Sequence, residues 1–252
     1  MTTALRMLVL GHSDSDGTRL ADPADSWPQA VAREMPAVAG LSIELTHRIL
    51  FPGGRALARV ESALATSTPD IVAVAPFSYS ASFEFVSVRL REALGERMAR
   101  MILPAERVAA RWSSSAARVH AAAVVPRRVA RRVIGTRPNL SVAAALQSYT
   151  EVFQRLAREE EIQVIVVSSA GFSLYHERMN PRMKAITARF AVEHRRAAEE
   201  HRFDWLAFDE LLGGRGAKEP YFLTDGVHTD EAGQRLVADA VIPLIARRWG
   251  GR

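Results

Sequence analysis

Two stretches at opposite ends of this 252-residue chain hold residues able to do chemistry: Gly11-His-Ser-Asp-Ser-Asp-Gly17 and Asp225-Gly-Val-His228. Ser13 follows the apolar run Met7-Leu-Val-Leu10, which reads as a buried strand ending at Gly11. A serine on a tight turn at a strand end exposes its Oγ and leaves its own amide for a developing oxyanion. It needs a base within hydrogen-bond reach. His228 is the candidate, and Asp225 is near enough in sequence to hold its Nδ1–H and stabilise the imidazolium. Taken singly, each residue has a plainer reading: Ser13 as a turn cap, Asp225-Gly226 as an ordinary turn pair, His228 as a surface histidine. The same residue types also admit a metal site, with His12, Asp14, Asp16, Asp225 and His228 as oxygen and nitrogen ligands.

The elements that must position these residues follow from hydrophobic periodicity. Continuous or alternating apolar runs at 7–10, 43–49, 69–75, 161–170 and 203–211 predict five strands. Between them lie helix-period segments: Trp27, Val31 and Met35; Leu57, Val60 and Leu64; Val142, Leu146, Tyr149, Phe153 and Leu156; Met179, Met183, Ile186 and Phe190; and a last helix from about Thr229 to Trp249. Alternation of this kind predicts a mostly parallel sheet with helices on both faces. In such a sheet ligands bind outside the carboxyl ends of the strands, which is where both motifs fall.

In these two blocks the chain resembles the SGNH (GDSL-type) hydrolases. Gly11-His-Ser-Asp-Ser-Asp-Gly17 is similar to their Gly-Asp-Ser-x-x-x-Gly block, and Asp225-Gly-Val-His228 before Thr-Asp-Glu-Ala-Gly is similar to their closing Asp-x-x-His. The resemblance implies a three-layer α/β/α sandwich, flavodoxin-like, and hydrolysis of an ester or other O-acyl bond through an acyl-enzyme. Ser13 would be nucleophile, His228 base and Asp225 its orienter, with no cofactor and no metal. A transferase using the same triad is a close variant, as water and an alcohol compete for one acyl-enzyme. His12 stands where the family has Asp. The oxyanion-hole glycine falls on Gly54, or on Gly53 one register away. The third block has no Asn; Tyr79 falls at its position, with Ser78 beside it.

The rest of the composition sets bounds. At 48% hydrophobic and 24% charged the chain is an ordinary globular one, read as a single domain over 1–252. It has no cysteine, which excludes disulfides and thiolate metal sites. "MLVL" is too short for a secretory core and no run suits a membrane span, so a cytoplasmic location is the default. Net charge is +5, and eight Arg fall within 107–138, inside an insert at about 83–138 read as one or two extra helices. That arm reads as a solvated face, or as a contact for an anionic surface such as lipid headgroups. It has no aromatic ladder, so no nucleic-acid partner is expected. The expected partner is a small acyl ester or acylated metabolite. A non-catalytic module using the arm is the remaining reading. His176-Glu-Arg-Met-Asn180 is not a zinc-protease helix motif, as Asn180 replaces the second His.

Overall fold

The structure, a computed structural model, describes residues 3–85, 137–213 and 218–251. The chain divides into two compact units, 1–79 with 142–252, and 80–141. In the larger unit the strands are β1 (Thr3–Gly11), β2 (Leu41–Ile49), β3 (Ile71–Val74), β6 (Gln163–Val167) and β7 (Asp204–Leu206). Its helices are α1 (Trp27–Ala39), α2 (Ala56–Ser67), α3 (Val142–Leu156), α4 (Leu174–Met179), α5 (Pro181–Glu200) and α6 (Glu231–Trp249), besides a single turn at 208–211. The smaller unit contains a short antiparallel ladder, β4 (Glu84–Phe85) with β5 (Arg137–Pro138). The helical and Arg-rich reading of the insert falls almost wholly on 86–136, outside the described residues.

The five strands of the larger unit form one sheet in the order β2-β1-β3-β6-β7, every pair parallel. Strands running one way need crossovers, and the helices that supply them cover both faces. On one face Leu5, Met7 and Val9 of β1, Ile71 and Ala73 of β3 and Ile165 and Val167 of β6 pack with α1 and α6. The alternate residues Leu8, Leu10, Val72, Val74, Val164 and Val166 point to the other face and are also buried, as a two-residue side-chain period requires. The result is a three-layer α/β/α sandwich, as expected from the sequence.

The helix stripes are mostly as read. Trp27, Val31, Met35, Val60, Leu64, Tyr149, Phe153, Leu156, Met183, Ile186 and Phe190 are buried. Two readings need correction. The last strand stops at Leu206, and 208–211 is a helical turn in which Phe208 turns into the core. The long helix read across 177–201 is two helices, because Asn180 leaves helical geometry, caps α5 by accepting from the Met183 amide, and precedes Pro181.

All five strands point their carboxyl ends to one edge, and the loops there are pinned from below. The Tyr149 hydroxyl, wholly buried, takes the Phe77 amide at 3.1 Å and so fixes the loop after β3. At the opposite edge, by the start of β1, β3 and β6, lies a groove of about 970 Å³, lined by Arg6, Asp70, Arg155, Glu159, Arg248 and Trp249. Arg6 and Arg155 there are paired to Asp70 and Glu159.

Candidate active site

β1 ends at Gly11 and the chain turns at once: the Ser15 and Asp16 amides both return to the His12 carbonyl, at 2.9 and 3.2 Å. The Ser15 hydroxyl sits inside this turn. It accepts the His12 amide at 3.0 Å and lies 2.9 Å from the His12 carbonyl and 3.0 Å from His47 Nε2 on β2. It packs so closely over Gly11 that a Cβ there would collide with it, which is why this position is glycine. Ser13 is left at the apex, half-buried.

His228 arrives from the far end of the chain. Its loop turns at Asp225-Gly226, where Gly226 has φ +64° and the Gly226 amide returns to the Leu223 carbonyl at 2.8 Å. The loop is strapped to α4. Ser173 N donates to the Gly226 carbonyl at 2.9 Å, His176 Nε2 donates to the Asp225 carbonyl at 2.9 Å, and Lys218 pairs with the buried Glu177 at 2.6 Å. A loop held at this many points presents its imidazole in one place.

Ser13 Oγ lies 2.7 Å from His228 Nε2, and His228 Nδ1 lies 2.6 Å from Asp225 Oδ2. The carboxylate can only accept, so it fixes the Nδ1–H tautomer and leaves Nε2 free to accept the serine proton. The other Asp225 oxygen takes the Val227 and His228 amides at 2.9 and 3.0 Å. Burial pushes the Asp225 carboxyl up, but the His228 and Val227 amides and the His228 ring outweigh it. The carboxyl ends below its ordinary range. The acid is thus ionised across the neutral range.

The remaining predicted residues fall as follows. His12 is buried and stacked on Phe77, ring centroids 4.5 Å apart. Burial, reinforced by the charges of His228 and His47, pulls its pKa down to about 3, so it is neutral. Tyr79 continues the stack at 5.8 Å from Phe77, and burial pushes its hydroxyl above the ordinary range. The Ser78 hydroxyl is 3.1 Å from Thr187 Oγ1. The Gly53 amide is taken by Ser148 Oγ at 2.9 Å, so between the two glycines only Gly54 keeps an amide with no hydrogen bond among the described residues, with open space where a Cβ would be. His12, Asp14, Asp16, Asp225 and His228 do not converge as metal ligands; no group of three or more such residues does so among the described residues.

By sequence, the chain matches no family model and no curated protein. Solved structures do match. TesA aligns at 18% identity with a TM-score of 0.53, covering 95% of this chain and 97% of that one. The lipase/acylhydrolase from Enterococcus faecalis aligns at 13% identity with a TM-score of 0.60, covering 97% and 96%. Axe2, an acetylxylan esterase from Geobacillus stearothermophilus, aligns at 13% identity with a TM-score of 0.57, covering 97% and 96%. The fold is that of the SGNH hydrolases.

Set on this SGNH fold, Ser13 occupies the end of the first strand and Asp225 and His228 the last loop, at the carboxyl edge of the sheet. Sequence reasoning missed the supporting residues. Asp14, half-buried, and the buried Thr229 and Gln234 form a hydrogen-bonded network beneath the pair, beside a cavity of about 20 Å³ that suits one water molecule. His176 and Ser173 brace the histidine loop. Asp230 caps α6, its side chain accepting from the Gly233 amide at 2.9 Å. The others are polar residues whose partners are remote in sequence, and no local spacing marks them.

Proposed function

We propose that this protein is a serine hydrolase that cleaves an ester or another O-acyl bond through an acyl-enzyme. The single observation that carries the reading is the continuous relay from Ser13 Oγ through His228 to Asp225, at 2.7 and 2.6 Å. Ser13 Oγ attacks the acyl carbonyl while His228 Nε2 takes its proton, and the carboxylate of Asp225 stabilises the imidazolium so formed. The tetrahedral oxyanion is received by the amides of Ser13 and Gly54, with the Tyr79 hydroxyl as third donor in place of the family's Asn. His228 returns the proton to the departing alkoxide. It then draws a proton from water, and the hydroxide so generated releases the acid and restores Ser13. The similar structures, a lipase/acylhydrolase and an acetylxylan esterase, support the same chemistry. The substrate is accordingly a small acyl ester or acylated metabolite.

A fluorophosphonate probe tests the reading. Peptide mapping of the labelled protein should place the adduct on Ser13, hydrolysis of p-nitrophenyl acetate should survive EDTA, and Ser13→Ala should lose both activities. An adduct on another serine, or hydrolysis retained in Ser13→Ala, would overturn the assignment.

A further inference from the structure

The nucleophile and the base stand 215 residues apart in sequence, and the next residue along each loop makes a second, parallel connection. Asp14 follows Ser13, and Thr229 follows His228. One carboxylate oxygen, Asp14 Oδ1, accepts from the Thr229 amide at 2.7 Å and from the Thr229 hydroxyl at 2.8 Å. Gln234, itself buried in α6, donates to the Asp14 carbonyl at 2.8 Å and to Thr229 Oγ1 at 2.6 Å, and accepts the Trp27 amide at 2.8 Å. The side chain of Asp14 is thus spent mainly on the neighbour of the base, with Gln234 Nε2 also reaching Oδ1 at 3.4 Å, and the network beneath it reaches both α1 and α6.

The connection matters most when the first one is missing. In the acyl-enzyme Ser13 Oγ is esterified and has no proton to share, so its bond to His228 Nε2 is gone. The imidazole must nevertheless stay at the same place to activate water, and a displacement of about 1 Å costs on the order of 10²-fold in rate. We propose that Asp14 is a positioning residue that, by clamping Thr229, holds His228 at its distance from Ser13 while the serine is acylated. This rests on the reading of Ser13 as an acylated nucleophile.

The experiment compares Asp14→Ala with Asp14→Asn in the full chain, using p-nitrophenyl acetate. The carboxamide oxygen of Asn can accept both Thr229 donors, so it separates the clamp from the charge. Asp14→Ala should lower kcat about 10- to 100-fold, leave kcat/KM within about threefold because acylation is untouched, so that KM falls with kcat, and show a pre-steady-state burst of p-nitrophenol because deacylation is the slowed step. The Thr229 amide should exchange with solvent at least about tenfold faster in Asp14→Ala, as expected when a protecting bond is lost. Asp14→Asn should restore kcat and protection nearly to those of the wild type. A kcat for Asp14→Ala close to that of the wild type, or an Asn variant as impaired as the Ala variant, would overturn the clamp while leaving the hydrolase reading intact. A wild type that neither hydrolyses the ester nor takes the fluorophosphonate would overturn the hydrolase reading itself, and the clamp with it.

Discussion

Replacing Asp225 by Asn should lower the proposed hydrolase activity more than replacing it by Ala, although Asn is the closer mimic. Asp225 Oδ2 meets His228 Nδ1 at 2.6 Å, and Oδ1 holds two backbone amides at 2.9 and 3.0 Å. In Asp225→Asn the carboxamide oxygen keeps those amides, because an NH₂ group there would face two donors. The NH₂ is thereby turned toward Nδ1, which must then accept, so the ring proton moves to Nε2 and the base can no longer take the serine proton. In serine triads this wrong-tautomer state costs about 10⁴ in kcat, equivalent to about 5.5 kcal/mol at 1.36 kcal/mol per decade. In Asp225→Ala the tautomer is not forced. The Asp225 side chain is 43% exposed, so water can reach the vacated place and accept from Nδ1–H. The loss should then be about 10²–10³, the range expected when general-base assistance is weakened but not inverted. The assay is kcat/KM for p-nitrophenyl acetate across pH, with circular dichroism melts to show that both variants fold. Equal losses in the two variants, or an Asn variant more active than the Ala variant, would refute the tautomer argument.

Two further outcomes follow from side chains around the site and in the core. Tyr79→Phe keeps the ring stack on Phe77 and removes only the hydroxyl, so a role in the oxyanion hole predicts a fall in kcat of about 10²–10³ with little change in KM; a change of less than a few-fold would leave Tyr79 a packing residue. His194 is buried among Tyr149, Phe153 and Phe190, its Nε2 has no hydrogen-bond partner among the described residues, and burial pulls its pKa down to about 3. Between that value and the ordinary 6.5 the unfolded chain binds the proton and the folded one does not, so stability is full above about pH 6.5 and falls as pH drops toward 3, by up to about 1.4 kcal/mol per pH unit for this one group. Urea unfolding at pH 7 and pH 4.5 checks this: His194→Leu should lose less stability over that interval than the wild type, and an equal loss would show that His194 does not carry the acid sensitivity.

How much of this was legible beforehand differs from residue to residue. The buried runs that became β1, β3 and β6, and the apolar stripes of α1, α3 and α5, are statements about one short window of chain, and windows are what periodicity reads. The Asp225–His228 spacing and the turn around Ser13 are local as well, so both were on the page as motifs. The strand end at Leu206 was not, because Ala207 to Leu211 is apolar enough for either structure and only the burial of Phe208 against the core settles it.

The sequence by itself determined which residue types stand at the ends of which elements, because propensity, side-chain period and capping act between neighbours. Only the tertiary structure decided that Asp14 meets Thr229, that Gln234 is a buried strut and no exposed helix residue, and that His12 is a neutral stacked ring. Those partners lie far apart along the chain, and their bonds exist only after the core has set the loops of β1 and α6 side by side. The physical reason is that a hydrogen bond reaches about 3 Å, whereas the placement of its two ends is fixed by the packing of the whole sheet and its two helical layers.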